Sequence, residues 1–579
     1  ERELALQTAW IEADLDAQPQ SRPIIIVTHQ PPGNAQLDAW LDRHNIVGVM
    51  YGHWHVINEC GHRGAVYLDT GPMRGSDWGA FSRCFRVVSV DGGHLTSEVR
   101  VCGQVQRLDV VAPQGTVGRG LAPVQVKAYD TVRRVRSVTC EVSAGGQTTA
   151  VPLRQTGYHT WEGVWDAGAA PAGEVTISVS ATDEEGRSWQ RQTIAQLQDA
   201  PTPPVRLGDD WPGVFRADHS RVREQPLGDG LQLAWAVNTG GRCQKGVSPI
   251  IYGGRVYVGV DDKEVGHPGA GVSCFDPADG RLIWHAATDA SVCSAPAAAD
   301  GAVYAVSSLG TCYALNAGTG EELWRCEAFG PPSGHRLVEC SPVIAGDEIL
   351  LMGDSGVCHV LDRRSGQPTR EIRFGGSLVY FSVPTVSEGR AYAGLQKAAT
   401  ALDLRTGEQI WTTAISSGKI SSAPVPWRGR LYVNAATLSC LDERTGERLW
   451  QQAVPTSGNG ISVAVPAGDV VLAHGVSLHA FVAETGEVRW RCEFPGEPDA
   501  ENSNQRQVMA GQSTPAVAGD VAWVGHDDGC IYGVALADGA IRWRYQVGVP
   551  VKGSPIISGN TLLVCDWDGN LYCFVAPGD

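Results

Sequence analysis

From residue 207 to the C terminus, apolar positions fall in short runs broken by glycine-containing turns, and the pattern repeats. Each unit opens on a residue followed by proline and passes through a glycine turn into an apolar strand. A second strand follows, then a Gly turn placed just before a Trp. The openings are Ser248-Pro249, Ala295-Pro296, Ser341-Pro342, Val383-Pro384, Ala423-Pro424, Val465-Pro466, Thr514-Pro515 and Ser554-Pro555, at intervals of 40 to 49 residues. That period suits four short strands per unit, the blade of a β-propeller. The closing turns agree: Asp279-Gly280 precedes Trp284, Thr319-Gly320-Glu321 precedes Trp324, and Thr406-Gly407-Glu408 precedes Trp411. Thr445-Gly446-Glu447 precedes Trp450, Thr485-Gly486-Glu487 precedes Trp490, and Asp538-Gly539 precedes Trp543. Glycine supplies the positive φ such turns need, and the indole is a plate that can wedge between neighbouring sheets. One unit departs, with Arg370 where Trp is expected after Ser365-Gly366. The eighth unit stops after Phe574, before its Trp strand, and Leu231-Gln-Leu-Ala-Trp235 upstream supplies one. The two ends of this region are therefore expected to share one blade and to close a ring of eight, which removes two sheet edges.

Residues 104–198 alternate differently. Val124–Tyr129, Val135–Cys140, Trp161–Trp165 and Val175–Ala181 show the period of two, separated by turns, which predicts an antiparallel β-sandwich. Residues 199–206, with Asp199-Ala-Pro-Thr-Pro-Pro204, read as a stiff extended linker. The expected role of the sandwich is that of a spacer.

Residues 1–103 follow an α/β order. Leu4, Leu6, Trp10, Ile11 and Leu15 make a helical stripe, followed by the strand Pro23–Val27 and then Thr28-His29-Gln30-Pro31-Pro32. A second helix around Leu37–Leu41 leads to the strand Ile46–Tyr51, which runs into Gly52-His53-Trp54-His55. Polar residues at the ends of parallel strands are where such sheets carry sites. Two imidazoles two residues apart at a strand end can turn nitrogens into one cleft, as metal ligation requires. His62 and His94 read as loop and turn residues without a role.

Charge narrows the function classes. Lys and Arg total 46 against 63 Asp and Glu, a net charge of −17, which disfavours gripping a phosphate backbone, so no nucleic-acid partner is expected. No apolar run approaches the roughly 18 residues of a membrane helix. The sixteen cysteines include no adjacent pair and no C-x-x-C spacing, which argues against a zinc knuckle or haem attachment. Many fall at equivalent strand positions, such as Cys293 and Cys340 or Cys326 and Cys492, and read as small buried hydrophobes.

On these motifs residues 207–579 resemble the pyrroloquinoline-quinone (PQQ) repeat family. Its quinone dehydrogenases use a vicinal disulfide beside the cofactor. Lacking such a pair, this chain resembles the cofactor-free members, such as the outer-membrane assembly lipoprotein, and no PQQ is expected. The long segments Asp261–Gly271, Phe329–Glu339 and Pro495–Gln512 extend one rim, the expected contact surface for an unknown protein or surface ligand. Residues 104–198 resemble an immunoglobulin-like module. Residues 1–103, through I-I-V-T-H-Q-P-P, G-H-W-H and Asp69-Thr70-Gly71, resemble the C-terminal half of the calcineurin-like metallophosphoesterases. That resemblance implies His29 and His53 on one metal of a pair and His55 on the other, the metals being Mn, Fe or Zn, with a phosphate ester as substrate. The first-half motifs D-x-H, G-D-x-x-D and G-N-H-[DE] are missing before His29. The expected fold class is thus multidomain: a partial α/β metallophosphoesterase sandwich, an all-β immunoglobulin-like sandwich and an all-β eight-bladed propeller. The leading expectation is a fragment of an exported, periplasmic or extracellular metal-dependent phosphoesterase, truncated and inactive as it stands. The alternative is a non-enzymatic propeller scaffold with an inert phosphoesterase remnant.

Overall fold

The computed structural model of the chain describes residues 2–29, 34–52, 58–70, 84–215, 220–228, 230–241, 247–261, 269–330, 338, 340–353, 356–375, 383–395, 397–415, 419–420, 422–435, 437–455, 459–460, 462–495 and 513–577. A smaller unit covers Glu1–Cys102, and a larger one begins at Gly103.

In the smaller unit, helix α1 (Arg2–Asp16) leads to strand β1 (Ile24–Val27), helix α2 (Asn34–Leu41) and strand β2 (Ile46–Tyr51). Strands β3 (Asn58–His62) and β4 (Ala65–Asp69) complete a sheet of order β1-β2-β4-β3. β1 and β2 are parallel, as are β2 and β4, so the chain needs a crossover between them, which α2 provides for the first pair. Leu15, Leu37, Trp40, Val49, Tyr67 and Leu68 are buried. The predicted stripe on α1 is buried at Leu15, while Leu6 and Trp10 are exposed, and Val27 on the edge strand β1 is 76% exposed. Strands β5 (Cys84–Asp91) and β6 (His94–Val101) form a hairpin. His62 ends β3 and His94 opens β6, which corrects their reading as loop and turn residues: both sit at strand ends beside tight Gly turns.

The larger unit starts with a two-sheet sandwich. One sheet has Val135–Ala144 and Gly173–Asp183 at its centre, and the other has Leu121–Tyr129 flanked by Thr160–Asp166 and Arg107–Ala112. Gly173–Asp183 alternates buried and half-exposed positions as a period of two requires. Val124, Val126, Val142, Trp161, Trp165 and Ile177 fill the space between the sheets.

Eight sheets of antiparallel strands follow among the described residues, seven of them four-stranded and the seventh in order extended to five by Val222–Arg223, which pairs parallel with Ala516–Ala518. Their innermost strands are Ile250–Tyr252, Ala297–Ala299, Val343–Ala345, Thr385–Ser387, Val425–Trp427, Val465–Ala467, Ala516–Ala518 and Ile556–Ser558, which define blades one to eight. Blade eight is completed by Gln232–Asn238, which pairs antiparallel with Asn570–Val575. The ring is closed by the two ends of the repeat region, as the sequence predicts.

The Trp residues pack between blades. The indole of each outermost strand lies on the Gly turn of the next blade and donates its Nε1 hydrogen to a carbonyl there. Trp235 bonds Pro277, Trp284 bonds Ala317, Trp324 bonds Arg363, Trp411 bonds Glu443, Trp450 bonds Ala483 and Trp490 bonds Leu536, all at 2.7–3.2 Å. In the departing unit Arg370 keeps the bond without the plate. Its Nη2 reaches the Leu404 carbonyl at 3.1 Å, and its charge is paired with Glu348. Trp543 faces the split blade eight and packs on Phe574 instead, 5.3 Å between ring centroids. The thiols of Cys274, Cys312, Cys340, Cys358, Cys440 and Cys530 are free and buried within the blades. Burial pushes Cys274 up to about 11 and Cys340 up to about 12, so they serve as packing rather than as nucleophiles.

Candidate functional site

The axis of the ring is lined by the innermost strands, and the segment leading into the propeller runs along them. Trp211 and Ile251 of blade one exchange both backbone bonds, at 2.8 and 3.0 Å. The Pro212 carbonyl accepts from Ala298 of blade two at 2.8 Å, and the Arg221 carbonyl accepts from Val517 of blade seven at 2.9 Å. Arg221 is 2% exposed and pins this segment. Its Nε donates to the Pro515 carbonyl at 3.0 Å, its Nη2 to the Pro555 carbonyl at 2.6 Å, and its Nη1 to that of Val214. The guanidinium also lies 4.9 Å from the Trp211 ring centroid. Burial lowers its pKa to about 9, so it stays charged at neutral pH with carbonyl dipoles as partners. Phe215 reaches across to Ala423, Val425 and Val463. Between this segment and the inner strands of blades two, three and four a cavity of about 310 Å³ remains, walled mainly by apolar side chains.

A second constellation joins sandwich and propeller. Gln125 and Lys127 lie on a strand whose other face, Ala122, Val124, Val126 and Ala128, fills the sandwich core. Period-two alternation points these two polar side chains at solvent. They are instead buried, Lys127 completely, against the turn Asp566–Asn570 of blade eight. Lys127 Nζ donates to Asp566 Oδ2 at 2.8 Å and to Thr160 Oγ1 at 2.6 Å, and lies 3.7 Å from Asp568. Asp568 also accepts from the backbone N–H groups of Tyr158 and His159, each at 3.0 Å. Burial by itself would raise the Asp568 carboxyl, but the Lys127 ammonium and these contacts overcome it and hold the pKa well below the usual range. His159, beside Asp568, is kept neutral by burial, which outweighs the carboxylate. The Tyr545 hydroxyl reaches the Val111 carbonyl at 2.6 Å, and Gln114 Nε2 reaches that of Gln546 at 2.9 Å. Residues 204–208 are tied down as well, with Arg206 N donating to Asn560 and Gly208 N to Ser558. The sandwich expected to act as a spacer is thus docked on blade eight by a buried ion-pair network, and the extended linker after it is tied to the same blade. On the same rim, His474 Nδ1 donates to the Ser513 carbonyl at 2.8 Å, with the Phe494 and His526 rings against it. The long segments expected to extend this rim lie largely outside the described residues.

Of the three histidines expected to bind metal, His29 is exposed, two residues beyond the end of β1. His53 and His55 lie outside the described residues. The backbone on either side is in place: Thr28 N donates to the Met50 carbonyl at 2.9 Å and Gly52 N to that of His29 at 3.4 Å, so β1 and β2 end side by side. Among the described residues no group of three or more His, Cys, Asp or Glu is arranged to hold a metal ion. Sequence reasoning missed Arg221, Lys127, Asp566 and Asp568. The one signal for the last pair was D-x-D-G-N in a turn where blade two carries Ser307-Ser-Leu-Gly-Thr311.

Comparison with known proteins bears on the propeller. Outer membrane protein assembly factor BamB of Burkholderia pseudomallei is 25% identical over 371 residues, which cover 59% of this chain and 88% of the relative. Tetrathionate hydrolase of Acidithiobacillus ferrooxidans is 26% identical over 225 residues, 28% of this chain and 45% of that protein. Among solved structures, the quinohemoprotein alcohol dehydrogenase of Comamonas testosteroni has a TM-score of 0.52 at 14% identity, covering 64% of this chain and 81% of its own. A europium-containing methanol dehydrogenase has a TM-score of 0.51 at 14% identity, covering 64% and 98%. These two likenesses show the fold alone. The family profile described as outer membrane protein assembly factor BamB matches residues 225–376, 374–521 and 502–576. With all eight blades and the shared closing strand inside that span, the chain belongs to the BamB family of PQQ-like β-propellers.

Proposed function

We propose that the chain is a non-enzymatic scaffold whose propeller holds a protein partner. The observation that carries this reading is the cavity between the axial segment and the inner strands of blades two, three and four, which is walled mainly by apolar side chains and bordered by strand edges. Such a surface suits a polypeptide better than a small polar substrate. The relatives are named as outer membrane protein assembly factors, which supports an outer-membrane β-barrel polypeptide before folding as the partner class and a location outside the cytoplasm. Among the described residues no helix is long and apolar enough to cross a membrane. The test is biolayer interferometry of the immobilised full chain against an unfolded outer-membrane β-barrel polypeptide diluted from urea. Saturable low-micromolar binding is expected, and none at any soluble concentration overturns the reading.

A second reading concerns residues 1–103. The side-by-side ends of β1 and β2 favour His29, His53 and His55 as metal ligands in a parent that supplies the missing carboxylates. The residues present do not fit a two-metal centre: three imidazoles without a bridging carboxylate cannot neutralise two cations. No hydrolytic step is therefore derived for this chain. Titration with Mn²⁺ and Zn²⁺ tests the ligand assignment. Unchanged metal stoichiometry in His53→Ala rejects it.

A further inference from the structure

The innermost strand of each blade is three residues long, and the same position in each faces the axis. In an antiparallel pair, residues alternate between exchanging bonds with the neighbouring strand and pointing them away. Ile251 pairs with Val256 across the hairpin, yet its N–H and C=O both go to Trp211. The middle residue therefore presents its backbone to the axis. The same register holds at Ala298, Ile344, Val386, Pro426, Pro466, Val517 and Ile557, paired with Val303, Ile349, Ala391, Leu431, Val471, Ala522 and Leu562.

The eight positions divide by what meets them. In blades one, two and seven the N–H is taken by the chain's own segment, through Trp211, Pro212 and Arg221. In blades five and six it does not exist, because Pro426 and Pro466 stand there. In blade eight Ile557 is fully buried, with Gly208 and Asp209 bonded to the adjacent Ser558. Blades three and four remain. Val343–Ala345 and Thr385–Ser387 are edge strands of their sheets, Ile344 and Val386 are half-exposed, and both line the apolar cavity opposite Phe215.

We propose that the inner edges of blades three and four bind an extended apolar stretch of a partner polypeptide by β-strand addition. The Ile344 and Val386 backbone groups pair with the partner's backbone, and Val343, Ile344, Val386 and Phe215 receive its apolar side chains. The proposal rests on the reading of the propeller as a protein-binding scaffold and names the surface and the partner chemistry. The occupant is polypeptide because the groove is continuous with one already filled that way: Trp211, Pro212 and Arg221 bind blades one, two and seven through the same inner-edge positions. Main-chain bonds give such addition its affinity and the apolar walls its preference.

The probe is a fluorescein-labelled, end-blocked heptapeptide alternating valine and threonine, read by anisotropy with the full chain. The double variant Ile344→Pro/Val386→Pro removes the two donors with a residue that blades five and six already carry there, so folding is preserved. Binding is expected to weaken at least about tenfold, the order expected for losing about 1.4 kcal/mol. Ile344→Ala/Val386→Ala keeps both N–H groups and is expected to weaken it less. Hydrogen exchange on the unaltered chain gives a readout without mutation: the Ile344 and Val386 amides should slow on adding peptide. Equal binding by the proline variant, unprotected amides at saturating peptide, or no peptide binding by the folded chain each overturns the proposal. If β-barrel polypeptide binding persists in any of these cases, the scaffold reading stands and only this site falls.

Discussion

The Trp wedge can be weighed against pure backbone strain by two alanine substitutions. Gly446 has φ +75° and Gly407 has φ +73°, so alanine at either meets the same left-handed penalty, about 1–2 kcal/mol. Their surroundings differ. A Cβ on Gly446 would stand 2.5 Å from Trp411 Cδ2 and 2.6 Å from Cε3, whereas one on Gly407 has nothing within 4 Å, because Arg370 replaces the indole there. In Gly446→Ala the Trp411 ring, 7% exposed, must shift. That overpacking costs about 1–3 kcal/mol. The 3.2 Å bond from Trp411 Nε1 to the Glu443 carbonyl is strained or lost with it, a further ~1 kcal/mol. Gly407→Ala should therefore cost about 1–2 kcal/mol, and Gly446→Ala about 3–6 kcal/mol. Urea denaturation followed by tryptophan fluorescence and near-ultraviolet circular dichroism measures both, with the midpoint moving and the slope constant. Equal shifts for the two variants would refute the wedge as a stabilising contact.

Three further outcomes are expected. Lys127→Met leaves Asp566 and Asp568 buried without a cation and should destabilise by about 3–5 kcal/mol. Adding Asp566→Asn should recover part of that in the same denaturation assay. Burial lowers the His474 pKa to about 3 from an ordinary 6.5. A base depressed on folding contributes stability that is complete above pH 6.5 and drains away as pH falls toward 3, by up to about 2 kcal/mol at pH 5 from one such proton. The Asp568 carboxylate, also depressed, adds a loss that sets in only below about pH 4. Thermal melts across this range should show the upper part of the slope flatten in His474→Asn, whose amide can still donate to the Ser513 carbonyl. Arg221→Met orphans the carbonyls of Val214, Pro515 and Pro555 and should loosen the axial segment. Hydrogen exchange at Ile251, Ala298 and Val517 should then quicken together, while a change confined to Val517 would argue against a single pinned segment.

The fold was most legible where the chain repeats itself. Eight x-Pro openings and the Gly-before-Trp turns announced the blades, and the stray Leu231–Trp235 strand announced how they close, because each unit is a local hairpin pattern written eight times. The α/β order of residues 1–69 was legible from local periodicity as well, helical stripes alternating with short apolar strands. Arg370 was visible as a departure, but that it would keep the indole's hydrogen bond was not, since that depends on where the Leu404 carbonyl of the next blade lies.

Alternation along a strand reports two faces, and it could say that Val124 and Val126 look inward. It could not say that Gln125 and Lys127 look into a second interior, because that interior belongs to residues more than 400 positions away. Arg221, in a polar stretch, carried no pattern at all, and its three carbonyl partners meet only at the ring's axis. Local periodicity follows from backbone geometry, which neighbours in the chain settle among themselves. Which strand edges are covered, which charges are buried together and which face of the ring stays open depend on surfaces brought into contact by closure, and those have no period to read.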